Sequence, residues 1–217
     1  IYALKSLGVE HIIAVSACGS MKEAIHPLDM VIPDQIFDRT RGRINTFFGG
    51  GVVAHISFDE PFCPNLSALL YQAARETGAK VHKGGTFVVI EGPSFSTKAE
   101  SRIYRGWGVE IIGMTVLPEA KLAREAEICY AVLANVTDYD VWLVSEEPVS
   151  VEMLIDNLLK NAEMAKKIIK KVVPHIPEAR TCFCPTALKN TIITSKDRIP
   201  EKAKKELGLL IGKYLEG

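Results

Sequence analysis

ICYAVLANVTDYD, residues 128–140, is the stretch on which the reading of this chain turns. Its first half, Ile128–Leu133, is an unbroken apolar run of strand length, and such a run reads as a buried strand. Its second half ends in two carboxylates, Asp138 and Asp140, spaced by two. A buried strand of this kind sits in a sheet covered on both faces, and in open α/β sheets ligands bind beyond the carboxyl ends of the strands.

Working outward, further strand-like segments stand at His11–Ala17, Met30–Phe37, Thr86–Glu91 and Val109–Met114. Helical spacing fills the gaps. Asn65–Thr77 places Leu66, Leu69, Leu70 and Ala73 on one face and stops at Gly78, and Thr97–Trp107 and Pro118–Glu127 are two more. The longest helical pattern is Val151–Val173, with Ser150 as its expected N-cap. Alternating strands and helices predict an α/β fold, a single domain with a mixed, mostly parallel central sheet flanked by helices. The Gly-rich stretch Arg41–Gly51 reads as an exposed, mobile loop. From Pro177 to Gly217 periodicity is weak until Glu201–Leu210, so 177–217 reads as a C-terminal extension of a domain spanning 1–217.

The chain has 217 residues, 47% of them hydrophobic, with zero formal net charge, enough for one α/β domain with a sizeable core. Neutrality gives no support for binding nucleic acid or an anionic membrane. The longest apolar runs are too short to span a bilayer, and with no export signal visible the expected location is cytoplasmic. The chain starts at Ile1 inside a helical pattern, so a segment ahead of it is expected. Of five cysteines, Cys18, Cys63 and Cys129 lie in or beside apolar segments and read as buried thiols. Cys182 and Cys184 form a C-x-C pair, read either as two free thiols in a tail or as a vicinal disulfide. Two thiols alone make a poor zinc site, and the sequence shows neither a C-x₂-C partner nor a His pair beside them.

Four strand ends carry small or polar groups: VSACGS, EGPSFS, GMT and TDYD. They predict one shared site. Residues two apart along an extended chain face the same side, so Asp138 and Asp140 could enter one pocket together. Two carboxylates in one pocket disfavour each other's charge, and a protonated one donates where its ionised neighbour accepts. That pair suits a ring nitrogen beside an amino group. The competing reading is an Asx-turn or helix cap at a strand end. At VSACGS, Ser16, Ala17 and Gly19 would let an anion approach free N–H groups.

In this order and with similar spacing, SACGS, EGPSFST-x-AES, GMT-x₂-PE and TDYD resemble the purine nucleoside phosphorylase superfamily, over residues 1 to about 175. Details point to the branch that acts on S-methyl-5′-thioadenosine. Phe95-Ser96 follows GPS where 6-oxopurine enzymes carry Phe-Glu or Tyr-Glu, TDYD stands in place of an Asn, and Val151 in place of a His. An acceptor in place of an amide donor favours 6-amino purines, and mismatched buried polar groups discriminate strongly.

The resemblance implies a set of roles. Asp138 would protonate the leaving adenine at N7 and Asp140 would read its 6-amino group. Ser96 and Phe95 would line the base pocket, Met114 would contact the ribose, and Thr115, Ser16 and the Ala17 amide would hold phosphate. Val149, Val151 and Ile155 would form an apolar methylthio pocket, and His55 would reach into a neighbouring subunit's site. It implies phosphorolysis with inorganic phosphate as co-substrate, no cofactor, no catalytic metal, and a homotrimer or homohexamer. A strand, a Gly-rich phosphate loop and an Arg-His pair of the family would stand ahead of Ile1, and without them phosphate binding would be incomplete. The C-x-C tail resembles archaeal, heat-adapted members, whose looser selectivity makes a broad purine nucleoside phosphorylase the alternative. A water-using nucleosidase and a non-catalytic nucleoside-binding protein are further alternatives.

Overall fold

The computed structural model describes residues 1–143 and 151–215. In chain order the elements are α1 (Tyr2–Ser6), β1 (His11–Ser20), β2 (Met30–Ile32), β3 (Gln35–Arg39), α2 (Pro64–Glu76), β4 (Val81–Lys83), β5 (Thr86–Ile90), α3 (Lys98–Gly106), β6 (Ile111–Gly113), α4 (Glu119–Glu125), β7 (Cys129–Asp138), α5 (Val151–Val172) and α6 (Glu201–Leu215). The seven strands form one sheet in the order β3-β5-β6-β1-β7-β2-β4. Four neighbouring pairs are parallel and two, β1 with β6 and β2 with β7, are antiparallel. This is the expected mixed sheet.

The predicted strand Met30–Phe37 is two strands. Pro33 has no N–H to donate and ends the first, and Asp34 turns the chain. β2 and β3 stand five places apart in the sheet, yet only Pro33 and Asp34 separate them in sequence. Five strand spacings would span about 24 Å in a flat sheet. The link from Ile32 to Gln35 reaches at most about 11 Å. The sheet is therefore strongly curled, bringing its two halves together. β4, a short strand that the sequence reading passed over, meets β5 through a turn at Gly84 and Gly85, both with positive φ.

β7 is central and fully buried from Cys129 to Val136, as its apolar run requires. α2 and α5 cover one face of it, burying Leu66, Leu70, Ala165, Ile168 and Val172. The other face packs on α4 and on the tail, where Leu188, Ala203, Leu207, Leu210 and Ile211 join the main core. α6 is thus built into the core. Glu127, buried at the turn into β7, ties it down: its carboxylate accepts from Leu188 N (3.1 Å) and Tyr214 Oη (2.5 Å) and pairs with Lys213 Nζ (2.5 Å). Among the described residues no helix is long and apolar enough to cross a membrane.

Candidate active site

The site forms where two parallel pairs of strands, β5–β6 and β1–β7, run into each other head-on. β6 pairs with β1 only at Ile111–Ser20 and Ile112–Gly19, antiparallel. The chain leaving β6 therefore runs back along β1, which sets Thr115 beside Ser16. Their hydroxyls are 2.8 Å apart. Ser16 is buried while Thr115 is exposed, so the pair presents one hydroxyl to the open side of the sheet, next to exposed Ala17.

Three residues further along β1, Gly19 lies opposite Asp138 in the β7 register. A side-chain carbon at Gly19 would sit 3.4 Å from Asp138 Oδ2 and 3.4 Å from Asp140 Cβ, so the glycine makes room for both carboxylates. Three strand residues span about 10 Å. The hydroxyl pair and the acidic pair therefore stand about 10 Å apart along β1.

β7 ends at Asp138, so period-two alternation does not extend to Asp140. A turn brings the two together. Asp138 Oδ1 accepts from Thr137 Oγ1 (2.5 Å), and Oδ2 accepts from the Asp140 amide (2.9 Å). Asp140 has φ +48 and opens a single 3-10 turn, Asp140–Trp142. Trp142 pins that turn to β1 through Nε1–H to Ser20 O (2.7 Å). The Asx-turn is present, and both residues lie against the same glycine.

The Asp140 carboxyl is pushed above the usual carboxylate range by burial, and the neighbouring Asp138 charge adds to this. The Ser101 hydroxyl opposes it, donating to Asp140 Oδ2 at 2.6 Å. Ser101 is fully buried on α3. It is placed by a capping box one turn earlier, in which Thr97 Oγ1 accepts from Glu100 N (3.2 Å) and Glu100 Oε2 accepts from Thr97 N (2.8 Å).

Two further groups that the sequence reading did not single out build the site. Arg43, from the loop expected to be mobile, reaches under it and donates to Met114 O (2.7 Å), Leu117 O (2.5 Å) and Glu91 O (2.6 Å). Glu91 Oε2 in turn accepts from the Arg41 amide (2.6 Å). The loop is held at this end, and it fixes the exits of β5 and β6 relative to each other. Gly92, at φ +70, is the second: a side-chain carbon there would lie 2.6 Å from Met114 Sδ.

The other expected site residues are scattered. Ser96 is buried, and its hydroxyl has no partner among the described residues. Phe95 is 78% exposed on the same loop. His55 is exposed, its backbone N–H donating to Thr191 O (3.0 Å), and among the described residues no hydrogen bond joins it to the carboxylates. Asn157 and Asn161 of α5 donate to Thr137 O (3.0 Å) and Val136 O (2.9 Å), tying that helix to the end of β7. Ile155, two residues before Asn157, is 52% exposed. Val149, Ser150 and the side chain of Val151 lie outside the described residues. Of the two readings of the C-x-C pair, the structure has the free thiols, with no disulfide between Cys182 and Cys184.

The sequence profile of the Phosphorylase superfamily matches residues 1–174. The chain belongs to the phosphorylase superfamily. The S-methyl-5′-thioadenosine phosphorylase of Geobacter sulfurreducens is 56% identical over 216 residues, covering 99% of this chain and 76% of that protein. A methylthioadenosine phosphorylase from an antarctic soil metagenomic library superposes with a TM-score of 0.92 at 47% identity, covering 96% of this chain and 74% of that one. A variant adenosine/methylthioadenosine phosphorylase of Schistosoma mansoni, in complex with methylthioadenosine, superposes with a TM-score of 0.77 at 33% identity, covering 97% and 74%.

Proposed function

We propose that this protein catalyses phosphorolysis of S-methyl-5′-thioadenosine to adenine and 5-methylthioribose 1-phosphate, as a pentosyltransferase of methionine and purine salvage. The observation that carries the reading is the joint placement of Asp138 and Asp140 against Gly19, about 10 Å along β1 from the Ser16–Thr115 pair. The superfamily membership and the names of its relatives support it.

In this reading phosphate lies against Thr115 Oγ1, Ser16 Oγ and the Ala17 amide, and the purine lies against the acidic pair. The glycosidic bond breaks first, and positive charge grows on the sugar. Bound phosphate on the opposite face stabilises that charge and then attacks C1′ with inversion. Electrons of the broken bond move into the base, which needs a proton at N7. Asp138 supplies it, and its position is fixed by Thr137 and the Asp140 amide. Asp140, held by Ser101, accepts from the 6-amino group. Orientation and charge stabilisation carry most of the rate. Ser96 has a free buried hydroxyl for the base edge, and Phe95 closes over it. Met114, fixed by Gly92 and Arg43, contacts the ribose. Ile155 lines the methylthio end. His55, being exposed, serves a neighbouring copy in a homotrimer or homohexamer. Inorganic phosphate is the co-substrate, and this chemistry uses no organic cofactor.

The test is base release from methylthioadenosine, adenosine and inosine, with and without phosphate, by the longest natural form of the protein. Phosphate-dependent adenine release, fastest from methylthioadenosine, is expected. Equal rates on all three would replace the reading with a broad purine nucleoside phosphorylase. Release without phosphate would make it a hydrolase, and no turnover at all would make it a binding protein.

A further inference from the structure

At the opposite end of β7 from the carboxylates, four thiols converge. Cys63 precedes α2, Cys129 opens β7, and Cys182 and Cys184 come from the segment after α5. Their four Sγ atoms all lie within 4.8 Å of one another, and Cys129 and Cys182 are 3.4 Å apart. Cys63, Cys129 and Cys184 are buried and Cys182 is half-buried. Along the sequence only the C-x-C pair is visible, and by itself it makes a poor zinc site. The fold supplies the other two sulfurs from positions 63 and 129.

The separations distinguish two kinds of chemistry. A disulfide needs its sulfurs at about 2.05 Å. Four thiolates at about 2.3 Å from one tetrahedral ion stand about 3.8 Å from each other. One separation of 3.4 Å and an upper limit of 4.8 Å lie near the second spacing and far from the first. Two of the ligands are already fixed, since the Cys63 amide donates to Tyr130 O at 2.8 Å and so locks the start of α2 to β7.

Charge fits as well. Four thiolates around a dication leave two net negative charges, and cations stand close by. Arg124 is buried, and its guanidinium lies 4.4 Å from the ring centre of Phe183, the residue between the paired cysteines. Arg180 lines a cavity with His11, Cys63, Cys129 and Cys182. That cavity also gives an ion a way in.

We propose that Cys63, Cys129, Cys182 and Cys184 form a structural tetrathiolate site for Zn²⁺, which staples the segment after α5 to the start of α2 and β7. Binding releases the thiol protons to solvent and involves no redox step. Soft sulfur donors in tetrahedral array select zinc or iron, and closed four-ligand sites are structural. Nine strand residues separate Cys129 from Asp138, about 30 Å. The ion therefore acts on stability and has no part in the glycosidic chemistry.

The experiment is metal analysis of the full chain, purified under reductant without chelator, together with thiol titration and Co²⁺ substitution. We expect about one Zn²⁺ per chain and, with Co²⁺, the intense thiolate charge-transfer and visible bands of a tetrahedral sulfur site. Cys184→Ser should lower bound zinc at least about tenfold, and the half-exposed Cys182→Ser gives the same reading if Cys184→Ser fails to fold. Cys18→Ser, a buried cysteine outside the cluster, should keep its zinc. A strong chelator should lower the Tm of the parent and leave that of Cys182→Ser unmoved. A reduced protein that takes up neither Zn²⁺ nor Co²⁺ overturns the proposal. So does a mass lacking four hydrogens in protein prepared without oxygen, which would mean two disulfides. Failure here leaves the phosphorolysis reading intact, since that rests on the other end of the sheet.

Discussion

Replacing Ser101 with Ala removes one hydroxyl and tests how the acidic pair divides its work. Ser101 Oγ donates to Asp140 Oδ2 at 2.6 Å from a fully buried position, and burial already holds that carboxyl above its usual range. A hydrogen bond to a charged group contributes about 1.5–3 kcal/mol. Losing it shifts Asp140 toward its protonated form by about ten- to a hundredfold. The folded pKa rises further, so the ionised acceptor for the 6-amino group is populated only at higher pH.

In a pH profile of kcat/KM for adenine release from methylthioadenosine, the acid limb of Ser101→Ala should move to higher pH, and the two enzymes should converge on the alkaline side. Stability carries its own sign. A carboxyl whose folded pKa is raised costs stability once pH passes above its unfolded value, and this variant deepens that cost. Its Tm deficit should therefore grow from acid toward neutral pH. An acid limb that stays in place, or a uniform fall in activity at every pH, would refute the reasoning and leave Ser101 as a packing residue.

Other perturbations follow from the same geometry. Arg43→Ala frees four backbone carbonyls from their donor and should raise the KM for phosphate, with a Tm loss expected from about 2–4 kcal/mol of broken charge-assisted bonds; an unchanged phosphate KM would mean that the Met114–Leu117 segment holds its place unaided. In a double-mutant cycle, Ser16→Ala and Thr115→Val should couple by about 1 kcal/mol in phosphate binding, and strict additivity would break the assignment of their 2.8 Å contact to the anion. Gly92→Ala meets Met114 Sδ at 2.6 Å from a left-handed backbone and should destabilise by about 1–3 kcal/mol in denaturant unfolding. Glu127→Ala strips Lys213, Tyr214 and the Leu188 amide of a buried acceptor, with an expected loss of about 3–5 kcal/mol in the same assay; a change within error would mean that α6 is held by its apolar face alone.

The sequence by itself determined most of the elements and nominated the candidate reacting groups. Apolar runs of strand length and three- and four-residue spacing are local properties, so β1, β7, α2, α3 and α5 could be placed to within a few residues. The acidic pair, Ser16 and Thr115 stood out because small or charged residues at the ends of buried strands have few structural reasons to be there. Local pattern could not supply partners. Nothing in Arg41–Gly51 marks Arg43 as the clamp under the site, because its carbonyl acceptors come from positions 90, 91, 114 and 117. The capping box T-K-A-E was legible and could have oriented Ser101, yet its bond to Asp140 crosses thirty-nine positions. The cysteines show the limit most clearly. The sequence displayed a lone C-x-C pair, and only a curled sheet with α2 and β7 locked together carries Cys63 and Cys129 to the same point. Spacing along a chain reports the face of an element, whereas a cluster of side chains depends on how separate elements pack, and that is settled by burial of the whole core.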